Sequence, residues 1–240
     1  MNEQEQEIYQ VFRVAVENSN YELVKEMIDK GVGNYTNKGK FGDGVVMYKA
    51  LKDSAENGRT QMVELLCANW NFERVNLSHP LRLAAENGHI EVVRFFLEHG
   101  ADVKTDKHNA LEYATMSGEF EVAKLLLDKG ADIHFNEDSA LRIAGGKGYL
   151  KIAKLLIDRG ADIHANNDEA LKCAAIAGQL ETVKLFLVDY KMEIKPETRE
   201  YLKENSPDAY NILIKRELNE SLKENLKSSP HKAKTRTMKI

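Results

Sequence analysis

The sequence predicts an all-α solenoid of about six helix-turn-helix repeats, and three recurring residues lead to this prediction. A leucine recurs every thirty residues, a glycine lies seven residues after each leucine, and in three copies another glycine lies twelve residues further on. In that order they are Leu51, Leu81, Leu111, Leu141 and Leu171, then Gly58, Gly88, Gly118, Gly148 and Gly178, then Gly100, Gly130 and Gly160. A fixed period of this length is typical of stacked structural repeats.

Each copy contains two short helices with one apolar side. In the copy at 79–103 the apolar residues of the first helix are Leu81, Ala84 and Ala85, and those of the second are Val92, Val93, Phe96 and Leu97. Residues at these spacings share one side of a helix. The glycines follow the helices, where a left-handed residue commonly ends a helix. One pair cannot bury its apolar side alone, so neighbouring copies are expected to stack.

The chain divides into a repeat array at 1–190, closing helices at 191–224 and a basic tail at 225–240. The first copy begins near Phe12 and carries an insert at about 32–48. The apolar residues that predict closing helices, which should cover the last repeat, are Tyr210, Leu213, Ile214, Leu218 and Leu222. The tail has five Lys or Arg and no acid, and we expect it to be disordered.

The segment HPLRLAAENGHIEVVRFFLEHGADV at 79–103 resembles an ankyrin repeat, whose pattern is T-P-L-H-x-A-A-x-x-G-H-x-x-V-V-x-x-L-L-x-x-G-A-D-V. The later copies follow in register, and the resemblance covers roughly residues 8–190. In its short period and its richness in Asn, Lys and Ile, the array is similar to ankyrin-repeat arrays of giant viruses and intracellular bacteria. The resemblance implies an ankyrin-type solenoid that acts by binding a protein.

The copies depart from the family at the connections between repeats. Ankyrin repeats usually run about 33 residues, and three are missing here between the A-D-[IV] segment and the next helix. The D-x-x-G-x-T-P hairpin tip is also absent. We therefore expect shortened turns in place of projecting hairpins, with Asn109 and Ser139 as helix N-caps.

The resemblance implies a protein partner on the concave face, contacted by the turns between repeats and by the pair before each inner-helix glycine. The candidate residues are Lys107, His108, Met116, Ser117, Phe135, Glu137, Asp138, Lys147, Asn167, Asp168 and Ile176. Met116, Phe135 and Ile176 either form an exposed apolar patch or fold back into the core. Gly145-Gly146 interrupts the inner helix of copy five, as a weak joint or as a place where a partner backbone approaches.

The charge distribution bears on the class of partner. The chain has 34 basic and 38 acidic residues, and without the five basic residues of the tail the body has 29 against 38. An acidic body disfavours nucleic acid and predicts that a partner with a basic patch is steered to it. The alternative function is a nuclear or nucleic-acid-associated protein that acts through the basic tail.

The sequence predicts no catalytic, cofactor or metal site. His134 and His164 recur one repeat apart, roughly 10 Å by ordinary helix packing, whereas zinc needs nitrogens at about 2.0 to 2.1 Å. We expect them to be turn residues with little constraint. Cys67 and Cys173 lie four repeats apart, outside disulfide reach, and are expected to pack in the array. The glycine-rich stretch at 39–44 lacks the spacing of a phosphate-binding loop.

Composition gives expectations about compartment and assembly. The chain is 42% hydrophobic and 30% charged, and no apolar run approaches about 18 residues. Its first residues lack the profile of a secretion signal, and two cysteines suit a reducing compartment. We expect an intracellular monomer, cytoplasmic or nuclear, or in the host cell if viral. We expect it to associate with no membrane and to act on no small-molecule substrate.

Overall fold

The computed structural model describes residues 3–32, 45–69, 76–104 and 109–228, and within these ranges it contains helices and no strand. The helices alternate along the chain between an inner and an outer layer. The inner helices are α1 (Glu3–Glu17), α3 (Val45–Glu56), α5 (Ser78–Glu86), α7 (Ala110–Ser117), α9 (Phe135–Lys147), α11 (Ala165–Ile176) and α13 (Pro196–Asn205). The outer helices are α2 (Tyr21–Asp29), α4 (Thr60–Ala68), α6 (Ile90–Glu98), α8 (Phe120–Asp128), α10 (Leu150–Asp158) and α12 (Leu180–Lys184), and α14 (Pro207–Ser228) closes the chain.

Each inner helix packs against the next inner helix, and each outer helix from α2 to α12 against the next outer helix. The core lies between the two layers. The leucines of the thirty-residue period all have at most 1% of their surface exposed, and they are Leu51, Leu81, Leu111, Leu141 and Leu171. The predicted all-α solenoid of six stacked pairs is confirmed, and residues thirty apart form rows across the array.

The glycine that ends an inner helix has two reasons to be glycine. Gly118 ends α7 with φ 84°, a left-handed conformation that costs other residues about 1 to 2 kcal/mol. A Cβ at this position would also lie 2.9 Å from the ring of Tyr149, which belongs to the next repeat. The glycine therefore ends its helix and makes room for the neighbouring repeat.

The connections between later repeats are left-handed turns of three residues. Asn136, Glu137 and Asp138 have φ between 49° and 57°, and 166–168 repeat the turn with φ between 47° and 64°. Right-handed helix then resumes at Ser139 in α9. Asn and Asp tolerate this conformation better than most residues. The turns are short, as the missing three residues predict.

One of the two expected N-caps is observed. The Oδ1 atom of Asn109 accepts a hydrogen bond from the backbone N–H of Glu112 at 3.0 Å, so Asn109 caps α7. The prediction for Ser139 is wrong. Its side chain is 1% exposed, and its hydroxyl has no hydrogen-bond partner in the described part of the chain. The left-handed turn before Ser139 places it inside the array, where it cannot cap the helix.

The closing helices cover the sixth repeat through buried residues and hydrogen bonds. Leu202 and Leu213 have no exposed surface, and the hydroxyl of Ser206 donates to the carbonyl of Ala175 at 2.9 Å. Arg216 on α14 donates through Nη1 to the carbonyls of Leu187 and Met192, at 3.0 and 2.7 Å. These contacts fix α13 and the first half of α14 to the end of the array.

Helix α14 corrects two predictions. Ile214, Leu218 and Leu222, expected to cover the last repeat, are 38%, 58% and 51% exposed. Ile214 lies on the exposed side of the helix next to the buried Leu213, and every residue from 218 to 227 is exposed. The helix also runs to Ser228, so the predicted tail does not begin at 225. Residues 229–240 and residues 33–44 of the insert lie outside the described part of the chain.

Candidate protein-binding surface

Three equivalent positions near the ends of inner helices form a row with an apolar character. Met116 on α7 is 44% exposed and Ile176 on α11 is 62% exposed, so neither folds back into the core. Gly146 occupies the same position on α9, which packs against both α7 and α11. The row therefore consists of two exposed apolar side chains with a gap between them, and we call Met116, Gly146 and Ile176 the apolar strip.

The two glycines in α9 face different surroundings. A Cβ on Gly146 would lie 3.4 Å from the Cβ of Cys173, which is ordinary contact. A Cβ on Gly145 would lie 2.7 Å from the carbonyl oxygen of Ala170, which real Cβ atoms essentially never approach so closely. The backbone that approaches the glycine pair is therefore that of the next repeat, and Gly145 allows α11 to pack closely.

In several repeats a basic residue lies on the inner helix one turn before the position of the apolar strip. In the third repeat Arg82 forms an ion pair with Glu86, four residues later, and lies 4.4 Å above the ring of Tyr113. Arg142, its equivalent in the fifth repeat, has no hydrogen bond or ion pair with any described residue. Lys172, in the sixth repeat, donates to the backbone carbonyl of Asn167 at 2.6 Å and has no carboxylate partner within the described ranges.

The structure places the other predicted site residues in two groups. Ser117 and Lys147 are exposed beside the apolar strip, at the ends of inner helices. Glu137 and Asn167 are exposed in the connecting turns at the other end, and Phe135 is half-buried there. About nine helical residues separate the two ends, which corresponds to roughly 13 Å. The predicted residues do not form one cluster.

Two further predicted residues, Lys107 and His108, lie outside the described residues.

Asp138 and Asp168, also predicted to contact a partner, are buried instead. Their exposures are 5% and 0%. The Oδ1 atom of Asp138 accepts the backbone N–H of Asp162 at 3.0 Å, and Oδ2 of Asp168 accepts the hydroxyl of Thr198. Asp162 lies in the connection between α10 and α11, and Thr198 lies on the closing helix α13. Because each carboxylate turns inward to these donors, the two aspartates join neighbouring units and are not available to a partner.

The two recurring histidines pair with these aspartates. Nδ1 of His134 lies 3.2 Å from Oδ1 of Asp138, and Nδ1 of His164 lies 2.7 Å from Oδ1 of Asp168. The expectation that the histidines are weakly constrained is therefore wrong. The signal was present in the sequence, because a histidine and an aspartate recur together with the same four-residue separation.

Neither thiol is activated. Burial raises the pKa of Cys67 to about 12. The pKa of Cys173 is also raised, first by burial and then by Glu169, while Arg142 lowers it. In the described ranges no group of three His, Cys, Asp or Glu residues could hold a metal ion. No helix there is long and apolar enough to cross a membrane.

Comparisons with known proteins agree with the repeat register. A family model described as ankyrin repeats (3 copies) matches residues 12–104 and 51–137. A second model, described as ankyrin repeats (many copies), matches residues 138–187. No curated protein matches the chain. The matched ranges together run from residue 12, within α1, to residue 187, after α12.

Proposed function

The chain belongs to the ankyrin repeat family, and from this premise we propose that it is a non-enzymatic scaffold or adaptor that binds a protein partner on its concave face. Ankyrin repeats are in general protein–protein interaction modules. The function of a particular array depends on the residues that its surface presents. In this proposal the apolar strip provides the anchors.

The exposure of Met116 and Ile176 supports the proposal most directly. Single exposed apolar residues are common and need no explanation. These two stand at equivalent positions on helices held in one packed layer, with Gly146 between them. A partner that covers both side chains would remove apolar surface from water at about 25 cal/mol per Å². It would also meet a surface that is already ordered and needs little rearrangement.

The test is capture of a partner from cell lysate by the full chain and by the double variant Met116→Glu/Ile176→Glu. We expect the variant to lose capture while its circular dichroism and urea midpoint remain close to those of the original chain. The matched control is Leu218→Glu/Leu222→Glu on α14, where two side chains of comparable exposure change in the same way. If the Met116→Glu/Ile176→Glu variant still captured the partner and the Leu218→Glu/Leu222→Glu variant did not, the apolar strip would be rejected as the binding surface.

The alternative function, through the basic tail, rests on sequence because residues 229–240 lie outside the described part of the chain. A mobility-shift titration at low salt can compare the full chain with a chain that ends at Ser228, using a short duplex DNA and a short RNA. If the chain acts by binding a protein through the apolar strip, the two chains should shift the nucleic acids equally. A shift that requires the tail would favour the alternative, because binding through phosphate contacts is strongest at low salt.

A further inference from the structure

We infer that the apolar strip binds a peptide segment in which one acidic residue stands beside an apolar one, with Arg142 as the contact for the carboxylate. This inference rests on the proposed function and specifies the chemistry of its partner. It differs from the expectation of a basic partner, which came from the net negative charge of the body without the tail.

The first observation is a change in charge pairing along the array. In the second and third repeats the basic residue of the inner helix is followed four residues later by an acid, as in Lys52 with Glu56 and the Arg82–Glu86 ion pair. Residues four apart are neighbours on a helix. In the fifth repeat the residue four after Arg142 is Gly146. The exchange of acid for glycine removes the partner of the arginine and opens the gap in the strip.

The sixth repeat shows the same change. The residue four after Lys172 is Ile176, which is exposed, where the earlier repeats have glutamate. The Nζ atom of Lys172 donates to the backbone carbonyl of Asn167 and lies 5.4 Å from the centre of the Tyr201 ring. Neither contact neutralises the ammonium charge. Two successive repeats therefore combine a cation that forms no ion pair within the described ranges with an apolar or open position.

The second observation places Arg142 beside the gap. Arg142 stands four residues before Gly146 on α9, so the two positions are neighbours on the surface of that helix. Its guanidinium also acts on the thiol of Cys173, whose pKa it lowers. The Cβ of that same cysteine would lie 3.4 Å from a Cβ on Gly146, so Cys173 forms the floor of the gap. A side chain seated between Met116 and Ile176 would therefore lie next to the arginine. Arginine can hold a carboxylate by two parallel hydrogen bonds.

Acids near the strip set a limit on the charge of the segment. Glu112 has the position of Arg142 in the preceding inner helix, and Glu169 lies 3.6 Å from the sulfur of Cys173. A run of acidic residues would bring further carboxylates close to these two. One carboxylate beside an apolar side chain satisfies Arg142 and avoids that repulsion.

The charge of Arg142 determines the preference for a carboxylate at this contact, because salt screens the charges of the distant repeats. The Debye length is about 8 Å at physiological ionic strength, whereas Arg142 would touch the bound carboxylate. The net negative charge of the body acts on the approach of a partner, and the local cation acts on the bound state.

The experiment is a selection from a random 12-residue peptide display library against the immobilised full chain. We expect the enriched peptides to carry Asp or Glu within one or two residues of Leu, Ile, Phe or Met. Synthetic copies of the enriched peptides should bind the Arg142→Glu variant about tenfold more weakly or worse. The Arg142→Lys variant should bind with intermediate affinity, because lysine keeps the positive charge but cannot make two parallel hydrogen bonds to one carboxylate. The matched control is Lys154→Glu, the same charge reversal on the exposed side of α10 in the same repeat.

The outcomes separate the inference from the proposed function. Peptides that bind Met116→Glu/Ile176→Glu as well as the original chain would show that the strip is not the binding surface. Peptides that need the strip but are neutral or basic, or that bind Arg142→Glu unchanged, would overturn the acidic preference alone. A selection that enriches nothing above the double variant would also overturn it, because a short segment is what the strip is inferred to hold.

Discussion

Nδ1 of His164 lies 2.7 Å from Oδ1 of Asp168, a side chain with no exposed surface. The second oxygen of the carboxylate accepts the hydroxyl of Thr198 on the closing helix α13. One buried side chain therefore joins the turn before α11 to the unit that ends the array. Breaking a buried interaction of this kind is costly because the groups left behind remain unsatisfied.

We expect Asp168→Asn to destabilise the chain by about 1 to 3 kcal/mol. Asparagine tolerates the left-handed backbone here, so the change removes the charge and replaces one acceptor oxygen by an NH2 donor without straining the turn. The matched control is Asn167→Asp, an exposed neighbour with the same left-handed backbone, which should alter stability by at most about 0.5 kcal/mol. Urea unfolding followed by circular dichroism measures both. Equal effects of the two exchanges would show that the carboxylate is not a link.

The same substitution at the two adjacent glycines of α9 should change the stability of the array in opposite directions. Gly145→Ala should destabilise the array by about 1 to 2 kcal/mol, because the new Cβ meets the backbone of Ala170 and overpacking outweighs the gain in helix propensity. Gly146→Ala should stabilise it by about 0.5 to 1 kcal/mol, because the new Cβ makes only ordinary contact with Cys173. The urea midpoints of the two variants test the pair. Equal midpoints would contradict the close approach of α11.

The repeat period was enough to predict the fold. Leu81 and Gly88 recur at one interval, and a helix pair with one apolar side can bury it only against a copy of itself. The exposure of Leu218 and Leu222 could not be predicted from spacing. Both continue the apolar pattern of Leu213, yet Leu213 has no exposed surface and these two are 58% and 51% exposed. Apolar spacing predicts a helix and one of its sides, but it does not say whether a neighbour reaches that side.

The pKa of Cys67 gives a prediction for alkaline pH. Burial raises it from 9.0 to about 12, so the fold favours the protonated thiol. The contribution to stability is complete below about pH 9, and it is lost as the pH rises from about 9 towards 12 because the unfolded chain releases this proton first. The expected loss is about 1.4 kcal/mol for each pH unit in that window.

The measurement for Cys67 is the slope of unfolding free energy against pH in the original chain and in Cys67→Ala. The variant should show the shallower decline. Tyr190, whose pKa is raised to about 12 by burial and by its hydrogen bond to Asp158, contributes equally to both chains and cancels. Parallel declines in the two chains would mean that Cys67 is not held protonated by the fold.

The candidate site was predicted only in part, for physical reasons that particular residues show. Met116 and Ile176 were located by their place before the helix-ending glycines. Asp138 was assigned to a surface because its side-chain direction depends on a three-residue left-handed turn that no periodicity encodes. Arg142 was missed because its significance lies in the absence of an acid four residues later, at Gly146, which appears only when the inner helices are compared in register.

Site-specific photo-crosslinking tests most directly whether a partner binds at the apolar strip. A photoreactive amino acid is placed at position 116 or 176 on the inner helices, or at position 154 on the exposed side of α10, and each full chain is irradiated in lysate. Binding through the apolar strip predicts a shared crosslinked adduct from 116 and 176, and none from 154. An adduct from 154 with none from 116 or 176 would contradict binding through the apolar strip.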